Sequence, residues 1–201
     1  MSKNTVISKF DWQYIISAGV LISVFIFTDI IEIWYKEDLY YSSRLISNEP
    51  HRIFTSILIH ANFNHLLTNL GGIVITRYFL MRLGIKRIFF YLQFIVVCSL
   101  IDFLILWIYE RILSYFFNTI PNYAALGFSG IIYAFFGFLL LCSIYGKSYF
   151  CGLKIDLKRN YEIQKMSKTI CLIGLIFSFL PGVSLLGHLS GFIAGCFLFY
   201  I

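Results

Sequence analysis

Ser129 stands in the stretch Gly127-Phe128-Ser129-Gly130, at the head of an apolar run, and Tyr133 follows it by four residues. A serine hydroxyl is a weak nucleophile until a neighbouring base takes its proton, and His188, in LGHLSGFIAG (186–195), is a candidate base. Acyl transfer also needs donors for the developing oxyanion. His65 and Asn69, in IHANFNHLLTNLGG (59–72), are four residues apart. On a helix that spacing puts them about 40° apart on one face. With backbone N–H groups at the start of the helix that carries Ser129, they can serve as such donors. Tyr133 falls on the same helical face as Ser129, where its ring can pack under an imidazole and fix its angle.

Each fragment also has a plainer reading. Small residues around a serine pack helices in membranes, and the Gly191/Gly195 pair forms a G-x-x-x-G that lets another helix come close. A single histidine in an apolar helix can be a hydrogen-bonded core residue. His60, five residues before His65, sits about 140° round from it if the helix extends that far. Four histidines could also suggest a metal site. However, His51 in a loop and His188 alone on its helix do not make a tight ligand spacing, so no metal and no other cofactor is expected.

The elements that hold these residues follow from composition. The chain has 201 residues, 59% hydrophobic and 13% charged, with a mean hydropathy of +0.82. A soluble domain is nearer to about half apolar and about a quarter charged. The bilayer is therefore the expected solvent, and the expected fold is an all-α bundle of six transmembrane helices. Windows of about 20 residues place the spans near 13–34, 57–80, 88–109, 124–145, 167–183 and 185–201. The chain reads as a single membrane domain over 1–201, with no repeat or linker. The N-terminal MSKNTVISKF has no small-residue cleavage site after a short apolar core, so no removable signal peptide is expected.

Charge orients the bundle. With the N-terminus inside, Lys3, Lys9, Arg77, Arg82, Lys86, Arg87, Lys147, Lys154, Lys158, Arg159, Lys165 and Lys168 all fall on the inner side. Lys36, Arg44, Arg52 and Arg111 remain outside. Positive-inside bias thus makes both termini cytoplasmic. The net charge of +6 follows from that topology, so no nucleic-acid partner is needed to explain it, and the basic loop 147–168 can attract anionic headgroups. The outer loop 35–56 carries Tyr35, Tyr40 and Tyr41 after Trp34 and is expected to lie partly in the interface. Cys98, Cys142, Cys151, Cys171 and Cys196 fall in spans or on the inner side and read as free packing cysteines.

Depth then joins the polar residues. Counting about 1.5 Å per residue from inner boundaries near 82, 146 and 201, Asn69 and His188 lie about 20 Å out. Ser129 and His65 lie about 25 Å out. In a core of about 30 Å, all four share the outer third, on three helices that run from outside to inside. Asp102 lies about 22 Å from an inner boundary near Arg87. Either it orients the histidine, as in soluble serine proteases, or it makes a structural hydrogen bond inside the bundle.

In four blocks the sequence resembles the rhomboid family of intramembrane serine proteases. H-R-I-F-T-S (51–56) is similar to the family's Trp-Arg motif, with His51 where Trp is usual. The stretch from His60 to Asn69 resembles H-x-x-x-x-H-x-x-x-N, and Gly127 to Gly137 resembles G-x-S-G-x-x-Y-x-x-x-G. His188 to Gly195 resembles H-x-x-G-x-x-x-G. The resemblance implies a Ser129–His188 dyad without a third acid, and oxyanion donors from His65, Asn69 and the Ser129 backbone N–H. It implies that Gly127 and Gly130 support close substrate approach and that Tyr133 stacks on His188. His60, Arg52, Gly191 and Gly195 take structural roles. Whether span three faces His188 is open. Where the family often has a Glu near the inner end of span two, this chain has Leu80-Met81-Arg82.

The implied activity is endopeptidase cleavage of other proteins' transmembrane segments near the outer face, through an acyl-enzyme. The alternative is a catalytically inactive rhomboid-like binder of membrane proteins. The implied location is a bacterial inner or plasma membrane, as a multi-pass protein with transmembrane substrates as partners.

Overall fold

The computed structural model describes residues 11–85, 89–118, 123–148, 155–157, 161–180 and 182–201. Lys3, Lys9, Lys86, Arg87, Cys151, Lys154, Lys158 and Arg159, which enter the charge and cysteine arguments, lie outside the described residues.

Helix α1 (Trp12–Phe25) runs into a π-helical turn, Ile26–Ile30. There the Thr28 hydroxyl donates back to the Val24 carbonyl at 3.0 Å, a side-chain bond that competes with the helical ladder. The loop expected to be outer follows, with a 3-10 turn at Lys36–Asp38, a two-residue strand β1 (Tyr41–Ser42) and a short helix α2 (Arg52–Thr55). After α3 (Phe63–Arg82) and α4 (Phe90–Phe117) comes β2 (Ala124–Ala125), antiparallel to β1 with Tyr41 opposite Ala125. Helix α5 (Ser129–Tyr145) leads to β3 (Lys147–Ser148) and β4 (Ile155–Asp156), which pair antiparallel. Helices α6 (Tyr161–Phe177) and α7 (Leu185–Leu198) complete the described chain.

The helix bounds differ from the hydropathy windows for identifiable reasons. The window 57–80 becomes Phe63–Arg82, because Asn62 caps the helix by accepting from the His65 N–H at 2.9 Å. His60 therefore precedes the helix instead of lying 140° round it. The window 124–145 becomes Ser129–Tyr145, because 124–125 is committed to β2 and Gly127 has φ +108°, which no α-helix contains. The window 88–109 becomes Phe90–Phe117: hydropathy ends it at Glu110 and Arg111, yet Glu110 is buried and accepts from the Tyr41 hydroxyl at 2.9 Å. The window 167–183 becomes Tyr161–Phe177, since the polar first turns still bury Ile163 and Ser167. The last helix stops at Leu198 and the first at Phe25 before its π turn.

Helix α5 is the axis of the core. It is buried from Ile131 to Leu139, as expected of a helix that is apolar on every side. Its own Phe135 and Phe138 form one buried cluster with Tyr91, Phe94 and Phe128, each at most 2% exposed. Against α7 the approach is backbone to backbone. A Cβ on Gly195 would stand 2.7 Å from the Ala134 Cα, and one on Gly191 would stand 2.9 Å from the Gly130 Cα. A Cβ on Gly137 would stand 3.1 Å from the Phe192 carbonyl carbon.

Outward faces remain apolar: Trp12, Ile16, Leu100, Leu104, Leu172 and Ile176 are all exposed. Trp12–Ile30 and Phe90–Phe117 are long and apolar enough to cross a bilayer, and Ser129–Tyr145 and Leu185–Leu198 are apolar but shorter. At the end of the bundle where the Glu is missing, other bonds tie the helices. Arg77 Nε donates to Asp11 Oδ1 at 2.6 Å, and the Tyr91 N–H donates to Gln13 Oε1 at 2.8 Å.

Candidate active site

Three helix starts build the site. The β1–β2 pair pins the outer loop against the residues just before Ser129, and the Gly127 N–H donates to the Ser56 carbonyl at 2.8 Å. The chain then turns through Gly127 into α5. A Cβ on Gly127 would stand 2.7 Å from His65 Nε2 and 3.5 Å from Asn69 Nδ2. Only glycine suits this position, on grounds of both φ and space. The close approach brings His65 and Asn69, from α3, beside the residues that lead to Ser129. Asn69 is 1% exposed, and its amide nitrogen has no hydrogen-bond partner among the described residues.

The N-termini of α3 and α7 are closed by side chains, Asn62 on α3 and Ser184 on α7, the latter accepting from the Gly187 N–H at 3.1 Å. Helix α5 has no side-chain cap at Phe128. The first N–H groups of a helix have no intrahelical acceptor, so α5 presents open donors beginning at Ser129.

A cavity of about 50 Å³ opens here. Ser129, Gly127, Gly130 and His188 line it, together with Asp102 and Ser99 from α4. Ser129 Oγ makes no hydrogen bond among the described residues, so its hydroxyl is free at the cavity wall. In an unliganded site the bond from nucleophile to base is often long and tightens only when substrate is bound.

His188 is held on two sides. Its ring lies 3.8 Å, centroid to centroid, from that of Tyr133 at an interplanar angle of 16°. Its Nδ1 lies 3.0 Å from the Ser178 hydroxyl oxygen. Tyr133 in turn donates its hydroxyl to the Gly174 carbonyl at 2.5 Å. Gly174 admits the aromatics, since a Cβ there would stand 3.1 Å from the Phe136 ring and 3.6 Å from that of Tyr133.

Asp102 lies in the same region. Span three does face the site: α4 packs on α7, and Asp102 and His188 line one cavity. The Asp102 Oδ2 would stand 3.2 Å from a Cβ on Gly130, and its Oδ1 is buried without a partner among the described residues, while the Ser190 hydroxyl of α7 donates to the Gly187 carbonyl at 3.1 Å. Because Ser178 occupies Nδ1 of His188, Asp102 is not the group that orients the imidazole. Gly130 is likewise more than a space-holder for substrate. Its backbone is the surface on which Gly191 packs, so it joins α5 to α7.

The outer loop is ordered by Arg52, which is 2% exposed. Its guanidinium donates to Glu49 Oε2 at 2.7 Å and to the carbonyls of Glu37 and Tyr40 at 2.7 and 2.9 Å. His51 is exposed beside it, with Nε2 3.4 Å from the Asp38 carbonyl oxygen. Tyr41 is buried, and that burial first, with Glu110 second, pushes its phenol above its ordinary value, so it remains a neutral donor. His60 is fully buried and meets the His65 ring edge-on at 5.2 Å.

Sequence reasoning missed Ser178 and Gly174. Ser178 sits in FSFLPG, ten residues before His188 but on a different helix end, and no spacing rule links the two.

The Rhomboid domain model matches residues 47–201. The chain belongs to the rhomboid family, whose members are generally intramembrane proteases. The family match and the exposed apolar helices mark it as an integral membrane protein. No curated protein matches it.

Proposed function

We propose that this protein is an intramembrane serine endopeptidase that cuts transmembrane segments of other membrane proteins near the outer face. One observation carries the reading: Ser129 and His188 line a single cavity, the first with a hydroxyl that makes no bond among the described residues, the second with a clamped ring. His188 takes the Ser129 proton as Oγ attacks the scissile carbonyl, and the proton then passes to the leaving amine. Water hydrolyses the acyl-enzyme with His188 again as base. Asn69, His65 and the Ser129 N–H donate to the oxyanion. The substrate must unwind locally, since a regular helix shields its carbonyls, so helix-breaking residues near the cut favour cleavage.

The same reading assigns six membrane spans in one domain, both termini cytoplasmic, and a bacterial inner or plasma membrane. Positive-inside charge and the outward apolar faces support it.

The test is co-expression with a reporter transmembrane substrate, comparing wild type with Ser129→Ala and His188→Ala at equal membrane abundance. Cleavage by wild type and none by either variant is expected. Cleavage that persists in both variants defeats the proposal, and an inert wild type favours the inactive binder. A fluorophosphonate probe should label wild type and not Ser129→Ala.

A further inference from the structure

We infer that Ser178 is a positioning residue for His188: its hydroxyl oxygen accepts the Nδ1–H and thereby leaves Nε2 as the lone-pair nitrogen, free to take the Ser129 proton across the cavity both residues line. The inference rests on the protease reading and adds a third member to the Ser129–His188 pair.

The proton inventory supports it. Ser178 is 3% exposed and carries one hydroxyl proton. That hydroxyl oxygen lies 3.1 Å from the Gly174 carbonyl oxygen of α6, one helical turn back, and we place its proton there. With its proton so placed, the oxygen offers a lone pair to the group 3.0 Å away, which is His188 Nδ1. A neutral imidazole bears one N–H, and the hydrogen bond made by one ring nitrogen decides the role of the other. Nδ1–H therefore leaves Nε2 unprotonated.

The same Gly174 carbonyl accepts from Tyr133 at 2.5 Å. One backbone oxygen thus anchors both groups that hold the ring, Tyr133 against its face and Ser178 at its edge. Aromatic stacking alone would tolerate a 180° flip about the Cβ–Cγ bond, which keeps the rings parallel but moves both nitrogens. The Nδ1 bond stops that rotation.

In the reaction, the Ser129 proton moves to Nε2 as the Oγ–carbon bond forms. The imidazolium keeps its Nδ1–H on Ser178 throughout. The proton on Nε2 then leaves with the amine as the C–N bond breaks. Ser178 itself gains and loses no proton. A buried carboxylate performs this office in soluble serine proteases. Here the carboxylate that shares the cavity, Asp102, is not the group at Nδ1, which Ser178 occupies.

The test uses the full chain in detergent or proteoliposomes with a transmembrane substrate. Ser178→Ala should lower kcat about tenfold, the worth of one hydrogen bond, with KM little changed. Ser178→Thr, which keeps the hydroxyl, should restore most of the rate. In parallel, ¹⁵N NMR of labelled histidine, assigned by the signal lost in His188→Gln, should show the Nδ1–H tautomer in wild type and a mixture in Ser178→Ala. An unchanged kcat in Ser178→Ala overturns the inference. So does an Nε2–H signal in wild type, and so does a Thr variant as slow as the Ala one, which would assign the loss to packing. If wild type leaves the substrate whole, the protease reading fails, while the tautomer signal still decides the Nδ1 assignment.

Discussion

Asn69 and Asp102 are both polar, both partly or fully buried and both close to Ser129, yet their surroundings give them opposite roles. Asn69 has an amide nitrogen without a partner among the described residues, beside Gly127, which suits the proposed role of donor to charge that develops only in the transition state. Asn69→Ala should lower kcat by about 10²–10³-fold with KM little changed, measured by steady-state cleavage at equal protein. Asp102 stands near Gly130 and Ser190, not at Nδ1 of His188. Asp102→Asn keeps the volume and the ability to accept, and should change cleavage by less than about tenfold. Loss of an orienting acid would instead cost about 10⁴-fold in the same assay.

Among the helices, α5 and α7 matter most, because the site requires their starts to lie side by side. Glycines at 130, 137, 191 and 195 allow it. Gly195→Val and Gly137→Val should drive the pair apart and cost about 1–3 kcal/mol or more, read as a lower Tm of the purified protein in detergent. Gly71→Ala is the control, since a Cβ there meets nothing within 4 Å and the position is helical. It should be neutral or stabilising by about 0.5–1 kcal/mol in the same measurement. The outer loop is a second element with its own lock. Removing the Arg52 guanidinium leaves the Glu49 carboxylate and two carbonyls without their donor. Arg52→Ala should therefore make the segment 35–56 the first site of limited proteolysis, mapped by mass spectrometry.

At the scale of the molecule, the exposed Ile, Leu and Trp of α1, α4 and α6 have no counterpart on a water-soluble surface of this size. They suit a bilayer, in which the two ends of α5, Ser129 and Tyr145, lie toward opposite faces. Single cysteines in an otherwise cysteine-free chain test this directly. One placed at Ser43 should react with a membrane-impermeant maleimide in intact cells, and one at Lys165 only after lysis. The opposite pattern would invert the topology argued from charge.

Much of this protein was legible before any coordinates. Apolar composition implied helices in a bilayer, and residue types at helical spacing, with counted depth, singled out Ser129, His188, His65 and Asn69. Those inferences rest on local chemistry and on the rise of a helix, which the sequence carries in full. Helix starts were less legible, because a hydropathy window does not register an Asn62 cap, a β1–β2 pairing or a positive φ at Gly127. Glu110 ended a window that the helix passes through, since its Tyr41 partner is 69 residues away. Ser178 was invisible for the same reason: a serine after an apolar run matters only once α6 and α7 are packed and its oxygen meets Nδ1 of His188. Residue identity and period are properties of neighbours along the chain. Which buried polar groups find each other depends on how the helices pack, and in this molecule that packing rests on four glycines between α5 and α7.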